Sequence, residues 1–331
     1  MLYKFEYRAY QRKFKRPLQT SHGIWDIRSG IILRLIDENN RIGWGEIAPL
    51  SWFGSETFEQ ALDFCHQLPA NISEEMIFSI SAELPACQFG FESAWENLSQ
   101  VIENSLFLED KIPKNWCSGL LPTGETALQA LPMLWLEGYR TFKWKIGVAA
   151  IEEELKIFQQ LIQAMHNLCD REKAFLRLDA NGGLSYSQAK TWLEACDKVK
   201  ATPDFSADIE FLEQPLPVTQ FQEMVELNAI YATPIALDES AANLDRIQEC
   251  YSQGWRGIFV IKPAICGSPS QLRKFCQTHN IDAVFSSVFE TKIGRQAALN
   301  LATQLSLNKR ALGFGTDCWF DDNHSILDFR F

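Results

Sequence analysis

Six charged side chains close a series of short apolar runs: Lys143 and Lys145 in RTFKWKIG, Asp179 in FLRLDANGG, Glu213 in DIEFLEQP, Asp238 in TPIALDES and Lys262 in IFVIKPAICG. From Lys145 onward they stand 34, 34, 25 and 24 residues apart, each about one strand-plus-helix unit. Each therefore takes an equivalent place on a successive strand. An Asp, a Glu and an Asp from three adjacent strands offer hard oxygen ligands and leave room for water and substrate oxygens, the coordination that suits Mg²⁺, with Mn²⁺ as a substitute. Lysines flank the carboxylates on both sides. A lysine beside a second lysine and a divalent cation has its ammonium form disfavoured, which makes Lys145 a candidate neutral base. Any one of these charges alone reads as a buried or rim ion pair. In register at strand ends, the set would be costly to desolvate without a common purpose, so it reads as an active site.

The elements that must carry these residues follow from the same pattern. β-rich runs recur near 117–121, 141–146, 175–179, 209–213, 234–238, 258–262, 282–287 and 310–314, separated by helical stretches such as IEEELKIFQQLIQAMHNL and SQAKTWLEACDKV. Eight strands with intervening helices over about 200 residues predict a (β/α)₈ TIM barrel, with the charges at its C-terminal mouth. An open doubly wound sheet is the competing reading, and it lacks the GxGxxG of a first βα turn. Lys143 and Lys145, two apart, face the barrel interior while Phe142 and Trp144 face the helices. The first hundred residues predict an α+β domain: an amphipathic strand at the N-terminus, a loop over 17–30, a hairpin turning at Asp37-Glu38-Asn39-Asn40, a second irregular stretch LSWFGSE, and helices around 57–68 and 88–103. The expected division is 1–112, 113–320 and a C-terminal segment 321–331.

Composition narrows the classes. The 331 residues are 46% hydrophobic and 22% charged, ordinary globular usage, and the formal net charge of −11 argues against a nucleic-acid or anionic-membrane partner. No phosphate-binding glycine loop is present. Nine scattered cysteines without a CxxC pair suit reduced thiols, and no apolar run approaches the roughly 18 residues that span a bilayer. A soluble cytoplasmic enzyme acting on a small molecule is the expectation.

KWK at 143–145, Asp179 in LDAN, Glu213 in LEQP, Asp238 in LDES and Lys262 in VIKP resemble the KxK, Asp, Glu, Asp, Lys constellation of the enolase superfamily, muconate-lactonizing subgroup. The likeness covers essentially the whole chain. It implies that the α+β domain caps the barrel, that loops 17–27 and 50–56 close over the substrate, and that 321–331 packs back on the cap. RPLQTSHG, GWGEIAPLSWFGSET, FSSVFETKIG and LGFGTDCWF are most similar to the subgroup's dehydrating branch of cyanobacterial and plastid type. That implies a carbon–oxygen lyase (hydro-lyase) performing syn dehydration of 2-succinyl-6-hydroxy-2,4-cyclohexadiene-1-carboxylate to o-succinylbenzoate, for menaquinone or phylloquinone synthesis. Lys145 would remove the proton and protonate the departing hydroxyl, Lys143 would keep it poised, and Lys262 would stay protonated on the opposite face. The alternative is an N-acylamino acid racemase or dipeptide epimerase, with Lys145 and Lys262 as a two-sided acid/base pair.

Further positions carry two readings each. Ser286, Ser287, Gly313 and Gly315 would bind the succinyl carboxylate or merely build tight strand-end turns. Arg177, two before Asp179, would order the metal shell or substrate, or form a salt bridge inside the barrel. Trp52 and Phe53 would cover the substrate ring, and His22 reads as a plain surface histidine. Asp317 reads as a loop residue, Glu239 as pointing elsewhere or acting through a neighbouring ligand, and Gln214 stands where many members of the superfamily carry a second acid.

Overall fold

The strand alternation at the N-terminus builds β1 (Leu2–Thr20), which pairs antiparallel with β2 (Gly23–Ile36). The structure, a computed structural model, describes residues 1–20, 23–99, 112–169, 172–202, 205–315 and 319–320. With β3 (Ile42–Ile47) and β4 (Asn71–Ser73) the sheet runs β3-β2-β1-β4. At the hairpin turn Asp37 Oδ1 accepts from the amides of Asn39 and Arg41, 2.9 Å each, and Asn40 takes the left-handed conformation. Helices Phe58–Gln67, Glu74–Phe78 and Pro85–Ser99 follow. The last lies directly on the sheet, because a Cβ on Gly43 or Gly45 would come 2.0 Å from the carbonyl oxygens of Ala94 and Gly90.

The expected loop over 17–30 is a correction. Apart from Ser21 and His22, which lie outside the described residues, it is strand: Leu18 pairs with Trp25, Gln19 with Ile24 and Thr20 with Gly23, beyond an irregularity between Lys13 and Leu18. Pro17 falls in that irregularity, where no ladder donor is demanded of it. Gly30 marks no turn either; a Cβ there would meet Tyr10 Oη at 2.4 Å.

The second sheet is parallel and follows sequence order: β5 (Ser118–Leu121), β6 (Thr141–Lys145), β7 (Ala174–Asp179), β8 (Ala207–Glu213), β9 (Ile235–Leu237), β10 (Ile258–Ile261) and β11 (Ala283–Phe285). Helices cover its outer face. Phe142 stacks near Trp135 of helix Thr126–Leu136, and Trp144 meets Trp192 of helix Tyr186–Lys200 edge-on, which fixes the inward direction of Lys143 and Lys145. The eighth strand is reduced to two parallel bridges, Leu312 to Cys117 and Gly313 to Ser286, which join the two edges of the sheet. The expected TIM barrel with an α+β cap is the architecture found.

Buried polar side chains lock cap to barrel. Glu46 of β3 accepts from Tyr10 Oη, from the amide and hydroxyl of Thr291 and from the amide of Gly294, so a cap carboxylate sits at the N-terminus of barrel helix Lys292–Leu305. Glu92 accepts from Ser270 N at the start of helix Pro269–His279, and Arg273 grips Glu96 through two 2.8 Å bonds. Arg28 donates to the carbonyls of Ala48, Pro49 and, across the interface, Val288. Segment 321–331 lies outside the described residues, but Phe320 just before it stacks on Phe14 of the cap at 4.6 Å. Among the described residues no helix is long and apolar enough to cross a membrane, and the eight described cysteines are buried and free.

Candidate active site

Strand register brings the six charges together. Lys145 pairs with Asp179 across β6 and β7, Asp179 with Glu213 across β7 and β8, and Asp238 and Lys262 lie immediately past β9 and β10. Asp179, Glu213 and Asp238 are 7%, 1% and 4% exposed. Lys143 Nζ bridges Asp179 Oδ2 and Glu213 Oε1 at 2.8 Å each, and Lys262 Nζ pairs with Asp238. Lys145, half-buried, has no ion-pair or hydrogen-bond acceptor for its amine among the described residues.

The electrostatics are those of an acidic cluster short of positive charge. Burial and the neighbouring charge of Asp179 push the Glu213 carboxyl up to about 8. Burial with the charges of Asp238 and Asp179 pushes Glu239 up to about 7. Burial works against the Lys143 ammonium, yet Asp179, Glu213 and Asp238 outweigh it and hold that group well above the ordinary lysine value. With their oxygens drawn onto the two ammonium groups, no three ligating groups among the described residues stand in metal-binding geometry. The donor set nevertheless fits a hard divalent cation: oxygen atoms on three consecutive strand ends, withdrawn from water and under-neutralised.

Two residues near the cluster do more than their sequence context announced. Glu239 is turned towards the carboxylates; its Oε1 accepts from Asn181 Nδ2 at 3.1 Å, and its buried Oε2 has no partner among the described residues. Gln214, fully buried with a left-handed backbone, donates Nε2 to Ser240 Oγ and Leu216 O and accepts from the amides of Asp238 and Ser240. A carboxylate could not make both kinds of contact, so an amide here sets the turn that presents Asp238.

The remaining candidates divide. Arg177 donates Nε to Glu210 at 2.7 Å, Glu210 also takes Arg310, and Arg310 forks onto Asp282, so the salt bridge inside the barrel is the reading realised for Arg177. Ser286 Oγ donates to Gly313 O and Ser287 Oγ to Glu290, which is the strand-end turn. Gly313 and Gly315 are required by crowding, since added Cβ atoms would lie 2.6 Å from Ser286 Oγ and 2.9 Å from Ser118 O. Trp52 is exposed on the cap and packs on Trp25, whereas Phe53 reaches the site, its ring centroid 3.8 Å from Lys262 Nζ. His22 and Asp317 lie outside the described residues.

Two family models match, Enolase C-terminal domain-like over residues 125–327 and MenC, N-terminal domain over residues 10–98. They correspond to the barrel that carries the charges and to the cap that covers it. A curated o-succinylbenzoate synthase of Thermosynechococcus vestitus is 38% identical over 96% of this chain and 93% of its own; that of Pasteurella multocida is 26% identical over 93% and 88%. The crystal structure of o-succinylbenzoate synthase from Thermosynechococcus elongatus, complexed with Mg in the active site, superposes with a TM-score of 0.85 at 37% identity over 96% of this chain and 94% of that one. A dipeptide epimerase from Cytophaga hutchinsonii shares the fold alone, with a TM-score of 0.73 at 19% identity over 97% and 89% of the chains. The chain belongs to the o-succinylbenzoate synthase family of hydro-lyases, within the enolase superfamily.

Proposed function

We propose that the chain dehydrates 2-succinyl-6-hydroxy-2,4-cyclohexadiene-1-carboxylate to o-succinylbenzoate, with Asp179, Glu213 and Asp238 holding Mg²⁺, or Mn²⁺ in its place. The observation that carries the reading is the contrast among the three lysines. Lys143 and Lys262 are tied to carboxylates, while the Lys145 amine beside them has no acceptor among the described residues. A proton α to a carboxylate is weakly acidic, so the negative charge that develops on the carboxylate oxygens must be neutralised as it forms; a divalent cation held by Asp179, Glu213 and Asp238 would supply the neutralising positive charge. Lys145 takes the proton and returns it to the departing hydroxyl on the same face, which makes the elimination syn. Lys143 fixes the spacing of Asp179 and Glu213 and keeps positive charge beside Lys145. Lys262 holds a proton on the opposite face and steadies the anionic intermediate. Aromatisation of the ring makes the step downhill.

Ser286, Ser287, Gly313 and Gly315, gathered where the barrel closes, are the proposed neighbours of the succinyl arm, and Trp52 with the cap loops covers the ring. We take 1–112 as the cap, 113–320 as the barrel and 321–331 as a segment returning to the cap. The match to the MenC, N-terminal domain supports menaquinone synthesis, and the reading extends to phylloquinone synthesis and a cytoplasmic setting. Purified protein with Mg²⁺ is expected to convert the cyclohexadiene to the aromatic product, and chelation or Lys145→Ala to abolish conversion. Absence of conversion, with exchange of the α-proton of N-acyl amino acids on both faces, would establish a racemase instead.

A further inference from the structure

Among the described residues, Lys262 is the lysine of the cluster that also touches the cap. Its side chain is 13% exposed, and its ammonium meets both the Asp238 carboxylate and the Phe53 ring, the centroid 3.8 Å from Nζ. An aromatic face within about 6 Å attracts an ammonium through the ring quadrupole, and the attraction is strongest where water is excluded.

The loop that delivers this ring is held from both sides of the domain boundary. Phe53 N donates to Leu50 O at 2.9 Å, Leu50 N donates to Ser55 Oγ at 2.6 Å, and Arg28 fastens the carbonyls of Ala48 and Pro49. Gly54 closes the turn at φ 104°, where a Cβ would meet Ala242 at 3.0 Å, and its carbonyl accepts from Asn243 Nδ2 of the barrel at 3.2 Å. A ring held this way can aim a lysine whose own stem is freely rotatable.

We propose that Phe53 is a positioning residue for Lys262, holding its ammonium at the second face of the site; this rests on the reaction proposed above. The ring acts through the lysine, not as a catalytic group, so its loss lowers turnover more than substrate affinity. Phe53→Leu keeps an apolar side chain and removes the π face, Phe53→Tyr keeps the π face, and Phe53→Met serves if the leucine variant does not fold.

The test pairs kinetics with a direct probe of the contact. In protein carrying lysine labelled with ¹³C at Cε, the Lys262 methylene resonance, identified by its loss in Lys262→Ala, is shifted upfield by the ring in wild type and in Phe53→Tyr, and returns to the ordinary lysine position in Phe53→Leu. In steady-state assays Phe53→Leu lowers kcat by about 3- to 30-fold with KM within about 2-fold, and Phe53→Tyr recovers wild-type turnover. An unshifted Lys262 resonance in wild type, an unchanged kcat in Phe53→Leu, or a loss confined to KM overturns the proposal. If wild-type protein fails to turn over the cyclohexadiene, the reaction is refuted and the resonance alone decides the contact.

Discussion

Truncating the carboxylate of Glu46 tests the joint between cap and barrel. Four donors converge on it: Tyr10 Oη, the Thr291 amide, the Thr291 hydroxyl and the Gly294 amide. In Glu46→Ala the two hydroxyls can turn towards other acceptors, but the amides of Thr291 and Gly294 stay buried at a helix N-terminus. Each stranded amide costs about 1–3 kcal/mol, and loss of the helix-end charge adds up to about 1 kcal/mol, so the variant should lose about 2–7 kcal/mol. Glu46→Gln keeps an oxygen for both amides and can turn its NH₂ towards Tyr10 Oη, which is able to accept; its expected cost is only about 1 kcal/mol. Urea unfolding of the three proteins, followed by tryptophan fluorescence, measures both differences. An alanine variant within about 1 kcal/mol of wild type, or a glutamine variant as unstable as alanine, would refute the idea that this carboxylate joins the domains through a helix cap.

Three further outcomes follow from the same structure. Mg²⁺ should raise the melting temperature, since a ligand at 100 times its Kd stabilises by about 2.7 kcal/mol; the shift should vanish with chelator and in Asp238→Asn, and its absence in wild type would count against a cation at these carboxylates. Burial raises the pKa of Glu290, so the folded state holds that proton more tightly than the unfolded chain. Its contribution is full below the ordinary glutamate range and is lost as pH rises through the native value; Glu290→Gln should therefore melt above wild type at about pH 8 and match it near pH 4. Burial pushes Cys65 and Cys276 up to about 12 and raises Cys87, Cys196 and Cys266 as well, so a thiol reagent at neutral pH should label no described cysteine until denaturant is added; rapid native labelling of any of these five would contradict the packing.

What the sequence revealed and what it hid have one physical boundary. The strand-end charges were legible because each follows a local apolar run, and their spacing mirrors a repeating βα unit, so topology alone aligns them. The strand pairing through 17–20 and 23–30 was not, because Pro17 and Gly30 are turn formers by propensity while their reasons here are tertiary: a ladder irregularity and the Tyr10 ring. Glu46 and Arg28 carried no local signal of their roles, since their barrel partners lie 245 and 260 positions away. For Glu239 strand alternation left two readings open, and the short 3₁₀ turn Glu239–Ala241, where alternation no longer holds, turns it towards the carboxylates. Gln214 could be read as a missing acid until its donor and acceptor contacts were seen together.

The thin closure of the barrel has a consequence of its own. Asp179, Glu213, Asp238 and the lysines stand on the continuously hydrogen-bonded arc from β6 to β10, whereas Ser286, Gly313 and Gly315 stand at a seam held by single bridges. Inheritance can thus treat the two halves of one ring differently. The arc tolerates little drift, because Lys145, Asp179 and Glu213 are registered strand against strand and Asp238 and Lys262 follow directly on the next two strands. The seam can accept an altered loop or a changed side chain while the register opposite stays intact, so a lineage can alter what it grips without altering what it ionises.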